Sequence, residues 1–493
     1  SQNTNNTAVG YQAGHDVTTG LQNTIIGSAA GAKLTDADNN TVVGYNALAS
    51  DTLGSRSTAI GYSALATQNF TTATNSDNVA IGYESSKSLT TGQYNVTIGN
   101  FSGDAQTTGA YNIAIGHGAL STEVAGNASV AIGYQALVAQ NFTTSTTSAN
   151  VAVGYEAGHD ITSGTRNSIV GTFAGDELTT GYYNTILGYT ALGEDTQGAT
   201  ATALGYAALS NQKFTTATVH YNVAVGYSAG TGVTTGINNT LIGGLAGDAL
   251  SDADRNVALG TSALSADTLG SRSTAIGYGT LNAQNFTTAT NTYNTALGYA
   301  AGLAVTTGTN NILVGGLTGD ALTVGGTNTI VGSQALTSDT QGSRSTAVGY
   351  QTLYQQNFTT ATNSNNTAVG YNAGRDITTG TGNVCLGANA GDEMTTGSNN
   401  TAVGRTAAVS LTSGANNLLL GHDSGRTASP SGNITTASNQ VCLGDDNITD
   451  LFCADTSISS SDERDKTDFA ALTLGLDFVK ALEPVTYYWD KRS

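Results

Sequence analysis

The feature that most constrains this chain is a regular spacing of glycines. Twenty-five Val, Ile or Leu residues are each followed by a glycine between Gly10 and Gly444. The intervals are 17, 17, 17 and 21, and this cycle of four units, which we call a super-repeat, recurs until a final interval of 23. We name these glycines repeat glycines and number the positions of each unit from them. Such spacing is typical of a solenoid, because each short unit buries its apolar side only by stacking on its neighbours.

The residues before each repeat glycine form a strand pattern. Position −1 is Val, Ile or Leu, and position −3 is Thr, Val, Ile, Leu or Ser. Because alternate strand residues point to opposite faces, we expect positions −3 and −1 to fill the coil interior. Position −2 is mostly Ala, as at Ala114 and Ala131. It would then lie outside, where small residues let another chain approach. The sequence predicts an all-β parallel β-roll of about 25 coils, each with two short strands and two turns.

Two further positions carry expectations about the turns. Position −4 is Asn in 19 units, where it can satisfy backbone groups and bond to the Asn of the next coil. The longest unit of each super-repeat carries a phenylalanine near its extra residues. These are Phe70, Phe142, Phe214, Phe286 and Phe358. Either they cap a bulge by packing on their own coil, or they form a row of aromatic-tipped loops that contacts a ligand weakly at many points.

The composition of the chain excludes some classes of partner. The formal net charge is −19 and only 10% of residues are charged, which argues against a nucleic-acid partner. No apolar run is long enough to span a bilayer, so we expect no membrane insertion. The first residues also lack the pattern of a secretory signal. The three cysteines and five histidines show no metal-ligand spacing, so we expect no metal and no cofactor. We expect small buried thiols, with a disulfide or an intersubunit thiol cluster as the alternative.

The repeats resemble a known family. Asn-Thr-Ala-Val-Gly-Tyr-Gln-Ala at 6–13 and Asn-Val-Ala-Ile-Gly at 78–82 are similar to the head repeats of trimeric autotransporter adhesins. The resemblance covers residues 1–444, although the repeats of that family are usually shorter than the units of this chain. It implies a left-handed parallel β-roll in which three chains pack about a threefold axis, with small residues near the interface.

The composition changes after residue 444. Residues 445–460 read as a connector, and residues 461–493 as the start of another domain with a helix at about 472–482 and a strand at 485–489. This short α+β segment resembles the endosialidase-type intramolecular chaperone of phage tail fibres. Its motif Ser-Asp-x-Arg-x-Lys is matched by Ser461, Asp462, Arg464 and Lys466. The resemblance implies self-cleavage in an intact parent, with Ser461 as nucleophile and Lys466 as base.

These features favour a homotrimeric fibre over an enzyme. We expect a structural, receptor-binding phage tail fibre on the virion, outside the cell, whose chaperone directs trimerisation and is then released. The receptor would be a host-surface glycan or protein. A cell-surface adhesin of the autotransporter type is the alternative. A solenoid enzyme would need acidic residues that break the repeat, and an ice-binding solenoid would need a regular Thr-x-Thr array; neither pattern is visible.

Overall fold

The computed structural model describes residues 4–452, and its main element is one sheet of short strands. Each repeat glycine follows a strand of three residues. The strands are Thr7–Val9, Thr24–Ile26, Thr41–Val43, Thr58–Ile60, Val79–Ile81, Val96–Ile98, Ile113–Ile115, Val130–Ile132, Val151–Val153, Ser168–Val170, Thr185–Leu187, Thr202–Leu204, Val223–Val225, Thr240–Ile242, Val257–Leu259, Thr274–Ile276, Thr295–Leu297, Ile312–Val314, Thr329–Val331, Thr346–Val348, Thr367–Val369, Val384–Leu386, Thr401–Val403, Leu418–Leu420 and Val441–Leu443.

Each strand pairs in parallel with the strand of the next coil, at equal positions. Thr7 aligns with Thr24, for example, and Val130 with both Ile113 and Val151. The result is a 25-stranded parallel sheet within one compact unit, Ser1–Asp446. At about 4.8 Å per coil this sheet extends about 115 Å. The prediction of an all-β parallel solenoid is confirmed, and residues 4–452 contain no helix.

A second strand occurs, within residues 4–452, only where the longest coil of a super-repeat meets the coil before it. Five pairs of short strands form there: Gly54–Ser55 with Thr74–Asn75, Gly126–Asn127 with Thr146–Thr147, Gly198–Ala199 with Thr218–Val219, Gly270–Ser271 with Thr290–Asn291, and Gly342–Ser343 with Thr362–Asn363. The expectation of two strands in every coil was therefore wrong. Elsewhere turns make up the second half of the coil, and backbone bonds such as that from Thr90 N–H to the carbonyl oxygen of Thr107, at 2.8 Å, link neighbouring coils there.

The repeat glycines are required by close backbone stacking. Gly133 has φ of +141°, and a Cβ built on it would lie 2.1 Å from the carbonyl oxygen of Gly154 in the next coil. The same conflict recurs at the other repeat glycines up to Gly404. Only glycine combines this φ with so close a neighbour, which explains the constancy of the spacing.

The predicted orientation of the strand was wrong. Position −2 points into the coil, and positions −3 and −1 point outward. Ala114 and Ala131 are both 0% exposed, whereas Val9 and Leu187 at position −1 are 57% and 52% exposed. The interior of so short a coil is narrow and already holds buried residues from the opposite wall, such as Leu120. Position −2 is Ala in most coils and Ile, Val or Leu in eight, and these branched residues are buried as well, as at Ile169.

The asparagines at position −4 form a buried column, as predicted. The Asn167 backbone N–H donates to Asn150 Oδ1 at 2.9 Å, and the Asn167 amide group donates to the carbonyl oxygen of Gly181 at 2.9 Å. Equivalent bonds repeat along the sheet, for example from Asn239 to Asn222. Each asparagine thus satisfies polar backbone groups in two turns, which a buried backbone requires.

Candidate functional site

The outward strand face is the largest candidate for a functional surface. Positions −3 and −1 form two parallel columns that run through every strand of the sheet and contain no charged residue. Both columns are half-buried or exposed over their whole length. With two columns about 7 Å apart over about 115 Å, the face covers on the order of 800 Å². Val, Ile or Leu fills every position −1, whereas Thr or Ser holds 14 of the 25 places at position −3, so this uncharged face is a candidate for an interaction surface.

One border of this face carries an aromatic ladder at position +1, supplemented from position +2. Eleven rings from eleven consecutive coils follow one another at centroid distances of 5.0–6.2 Å. They are Tyr45, Tyr62, Tyr83, Phe101, His117, Tyr134, Tyr155, Phe173, Tyr189, Tyr206 and Tyr227. Two separate stacked pairs follow further along, Tyr278 with Tyr299 and Tyr350 with Tyr371. The tyrosines are 41–61% exposed, so this border keeps a large aromatic area at the surface.

The other border of the face lies at position −5, where every non-glycine residue has a positive φ. It carries Asn, Tyr and the exposed arginines Arg56, Arg166, Arg255, Arg272 and Arg344. Arg166 Nη1 donates to the hydroxyl of Tyr183 at 3.1 Å, and its guanidinium carbon lies 5.4 Å from that ring's centroid. The two borders therefore differ in chemistry: one is aromatic and the other partly cationic.

The five phenylalanines expected as ligand contacts lie inside the coil. Phe70, Phe142, Phe214, Phe286 and Phe358 are only 5–9% exposed. This burial favours the interpretation of a bulge packed on its own coil. A ligand at this place would meet the exposed threonines that follow each ring, as at Thr71 and Thr72, and not the ring itself. Ligand contact at these loops stays a prediction.

A buried carboxylate anchors each bulge, which the sequence analysis missed. Asp51 Oδ1 accepts the backbone N–H groups of Gly54 and Phe70 at 3.1 and 3.0 Å, and Asp51 Oδ2 accepts from Gln68 at 2.6 Å. The side-chain amide of Gln68 also donates to Ser57 Oγ at 2.8 Å. Equivalent acids occupy the same place in the other super-repeats: Glu123, Asp195, Asp267 and Asp339. An acidic residue that recurs every 72 residues was the feature of the sequence that could have predicted this network.

The third super-repeat contains the one histidine within this set of buried networks. In the others a hydroxyl pair closes the network, as with Ser129 Oγ and Ser148 Oγ at 2.7 Å. Here Ala201 replaces the first hydroxyl residue and His220 the second. His220 Nε2 lies 3.0 Å from Gln212 Nε2, and its ring stacks on Phe214 with centroids 5.0 Å apart. Burial lowers the pKa of His220 to about 4. The histidine is fully buried, so it serves the core and not a surface reaction.

Half-buried aspartates form another row, whose members recur every 72 residues from the second super-repeat onward. They are Asp104, Asp176, Asp248, Asp320 and Asp392, and burial raises the pKa of each. The pKa of Asp176 rises to about 6, through burial first and then through the nearby charge of Glu177. Asp176, Glu177 and Glu194 line a shallow polar cleft, where Lys213 Nζ lies 3.9 Å from a carboxylate oxygen of each glutamate.

Within residues 4–452, one group has a geometry compatible with a metal ion. Ligand atoms of His422, Asp423 and Asp445 lie within 4.8 Å of one another. Arg426 Nη1, however, donates to Asp423 at 2.8 Å, and Arg405 contacts His422. Two guanidinium groups already supply positive charge there, so we assign no metal to it.

Two of the three cysteines lie in the described part of the chain. Cys385 and Cys442 are buried free thiols, in keeping with the expectation for both. Cys453 lies outside the described residues, as do the predicted cleavage residues Ser461, Asp462, Arg464 and Lys466 and the helix and strand expected after them. Their roles therefore stay predictions.

Two searches bear on the identity of the chain. Comparison with protein-family models and with curated proteins finds no significant match. Within the described part, no helix is long and apolar enough to cross a bilayer.

Proposed function

We propose that the chain is a structural and receptor-binding fibre that assembles as a homotrimer through its outward strand face. The observation that carries the proposal is the unbroken, uncharged face along all strands of the sheet, with an aliphatic residue at every position −1. An area on the order of 800 Å² per chain is what a stable protein–protein interface buries on each partner. Another copy of the same solenoid fits best, since it presents an equally long and regular surface.

Assembly about a common axis would also complete the packing of the strands. The Val, Ile and Leu side chains at position −1 are half-buried or exposed in the monomer, so covering what remains contributes part of the about 1.5–3 kcal/mol that full burial of such a side chain gives. A sheet with both faces covered is the usual environment of parallel strands. In closed cyclic symmetry every copy buries the same surface. The number of three copies is taken from the resemblance to trimeric adhesin heads.

The assembly can be tested with charged substitutions on opposite surfaces. Ile115→Lys with Ile132→Lys places two ammonium groups per chain in the apolar face, where burial without a partner is costly. Thr143→Lys with Thr144→Lys adds the same charge on an exposed bulge and is the control. In analytical ultracentrifugation the first variant should sediment as a monomer and the control as a trimer. A trimeric Ile115→Lys, Ile132→Lys variant would overturn the proposal.

The C-terminal resemblance supports a proposal for the biological setting of the fibre. In a longer parent, the segment beginning at Ser461 would direct trimerisation and then be released by the serine–lysine pair, as in phage tail fibres. The alternative, a cell-surface adhesin, predicts a membrane-anchoring β-barrel downstream instead of a complete chaperone. The sequence of the whole gene separates the two settings. A glycan-array screen of the purified trimer would identify the class of receptor.

A further inference from the structure

The arginines at position −5 and the tyrosines at position +1 occur in a fixed relation. All five arginines belong to a coil whose successor has a tyrosine at position +1. These following tyrosines are Tyr83, Tyr189, Tyr278, Tyr299 and Tyr371. For Arg56, Arg272 and Arg344 the same coil also carries a tyrosine at +1. Each of these three arginines is therefore level with two stacked tyrosines on the opposite border.

Within one chain these groups lie on opposite borders of the strand face. Arg272 and Tyr278 are six residues apart along an extended segment, which separates them by up to about 20 Å. The arginine contacts residues of its own border instead. The guanidinium of Arg272 lies 5.5 Å from the ring centroid of Tyr293, and Arg56 Nη1 lies 3.9 Å from Asp77. Their exposed side chains can still reach beyond these neighbours.

Cyclic assembly brings the two borders together. When identical faces surround an axis parallel to the solenoid, the left border of each copy meets the right border of the next. On this basis, which rests on the proposed trimer, we infer that the position −5 arginines of one copy dock on the position +1 tyrosines of its neighbour. The partner is a second copy of this chain, held at the same axial height.

The chemistry of the two borders is complementary. Stacked tyrosines cover each other's faces and direct their edges and hydroxyl groups outward, and the rings of Tyr278 and Tyr299 are 5.7 Å apart. Guanidinium is a planar fork with five N–H donors, so it can donate to two neighbouring hydroxyl oxygens at once. Within one chain, Arg166 already donates to one tyrosine hydroxyl group, that of Tyr183.

These contacts also restrict axial register. The apolar columns alone are nearly unchanged by a shift of one coil, because Val, Ile and Leu recur at position −1 in every coil. The arginines, in contrast, occur in only five coils and at irregular intervals. When the chains are at the same axial height, Arg272 and Arg344 each face a tyrosine pair of the neighbouring copy. A shift by one coil in either direction leaves both of these arginines facing a single tyrosine. Over all five arginines, each facing its own coil and the next, the total falls from eight tyrosines to seven in one direction and to five in the other.

Cross-linking in the full chain tests the inference. Arg272→Cys with Tyr278→Cys places one thiol on each border of the same coil, in a background where Cys453 is replaced by serine. A bismaleimide too short to bridge the two borders of one chain should join neighbouring copies and give covalent dimers and trimers on denaturing gels. The matched control, Arg56→Cys with Tyr278→Cys, sets the thiols twelve coils apart, about 58 Å along the axis, and should stay uncross-linked. All substituted positions in the described part are exposed, so the coil interior is unaffected.

The outcomes separate this inference from the proposed function. Cross-linked trimers for the level pair alone support it. An intact trimer by mass with no cross-link from the level pair overturns it and leaves the proposed trimer standing. Cross-linking by the distant pair shows slipped chains and also overturns it. A monomeric mass for the unmodified chain defeats the proposed function itself.

Discussion

The third super-repeat carries a buried histidine where the others carry a hydroxyl residue. Replacing it by the residues of the other super-repeats gives the sharpest test of how the core is built. In the first super-repeat, Ser57 Oγ and Ser76 Oγ lie 2.5 Å apart, and Gln68 donates to Ser57. In the third, Ala201 has lost that hydroxyl group, and His220 supplies the nitrogen beside Gln212 instead. We therefore expect Ala201 and His220 to compensate each other in volume and in hydrogen bonding.

Each single substitution should lower the free energy of unfolding, and the double substitution should leave it nearly unchanged. His220→Ser removes a buried ring that stacks on Phe214 and leaves a cavity, which costs about 3 kcal/mol. Ala201→Ser inserts a hydroxyl group against the imidazole and costs about 1–3 kcal/mol by overpacking. Together the two substitutions recreate the Ser57–Ser76 arrangement. We expect the free energy of unfolding of the double variant to lie within about 1 kcal/mol of that of the original chain. The coupling energy between the two substitutions then exceeds that of independent sites.

Unfolding rates in guanidinium, followed by circular dichroism, measure these differences in a fibre that unfolds slowly. A loss of about 3 kcal/mol corresponds to unfolding up to about a hundredfold faster. Because burial lowers the pKa of His220 to about 4, its contribution to stability is present above pH 6.5 and lost as pH falls toward 4. The double variant should lack this component. Additive losses in the double variant would refute the compensation.

Three further predictions concern single positions. Since the pKa of Asp176 is raised to about 6, the fold gains stability as pH falls through 6 toward 4. Asp176→Asn should therefore stabilise the chain at pH 7 and remove this pH dependence. An unchanged pH profile of the melting temperature would contradict the prediction. Gly133→Ala should disrupt coil stacking and lower the melting temperature sharply, whereas Gly316→Ala, whose Cβ would meet nothing within 4 Å, should leave it unchanged. In an intact parent, Ser461→Ala and Lys466→Ala should each abolish self-cleavage on denaturing gels without preventing trimer formation; cleavage in both would eliminate the serine–lysine pair.

The solenoid could be predicted from the sequence because its glycine spacing has one simple physical explanation. Repeat glycines such as Gly133 are fixed by a backbone contact that no side chain can share, so the spacing records coil length directly. The asparagine column was also predictable, since one residue type recurs at one turn position. Both signals come from the backbone, whose path recurs from coil to coil.

Side-chain orientation could not be predicted from the same pattern. Alternation assigns Ala114 and Ile115 to opposite faces but does not say which face is inside. The choice depends on which face meets the buried residues of the turns, such as Leu120, and those contacts join residues of different coils. Taking the branched residues as core led to the wrong orientation, and the outward apolar face was missed. The Asp51–Gln68 network was overlooked because its two members belong to different coils and are far apart along the chain.

The mass of the purified chain in solution tests the account most directly. Three copies of a 49.6 kDa chain weigh about 149 kDa. Light scattering coupled to size exclusion should give this value for residues 1–493 at micromolar concentration, because the proposed trimer covers the outward strand face of every copy. A stable mass near 49.6 kDa would contradict the account, since the strand face would then be exposed to water without a partner.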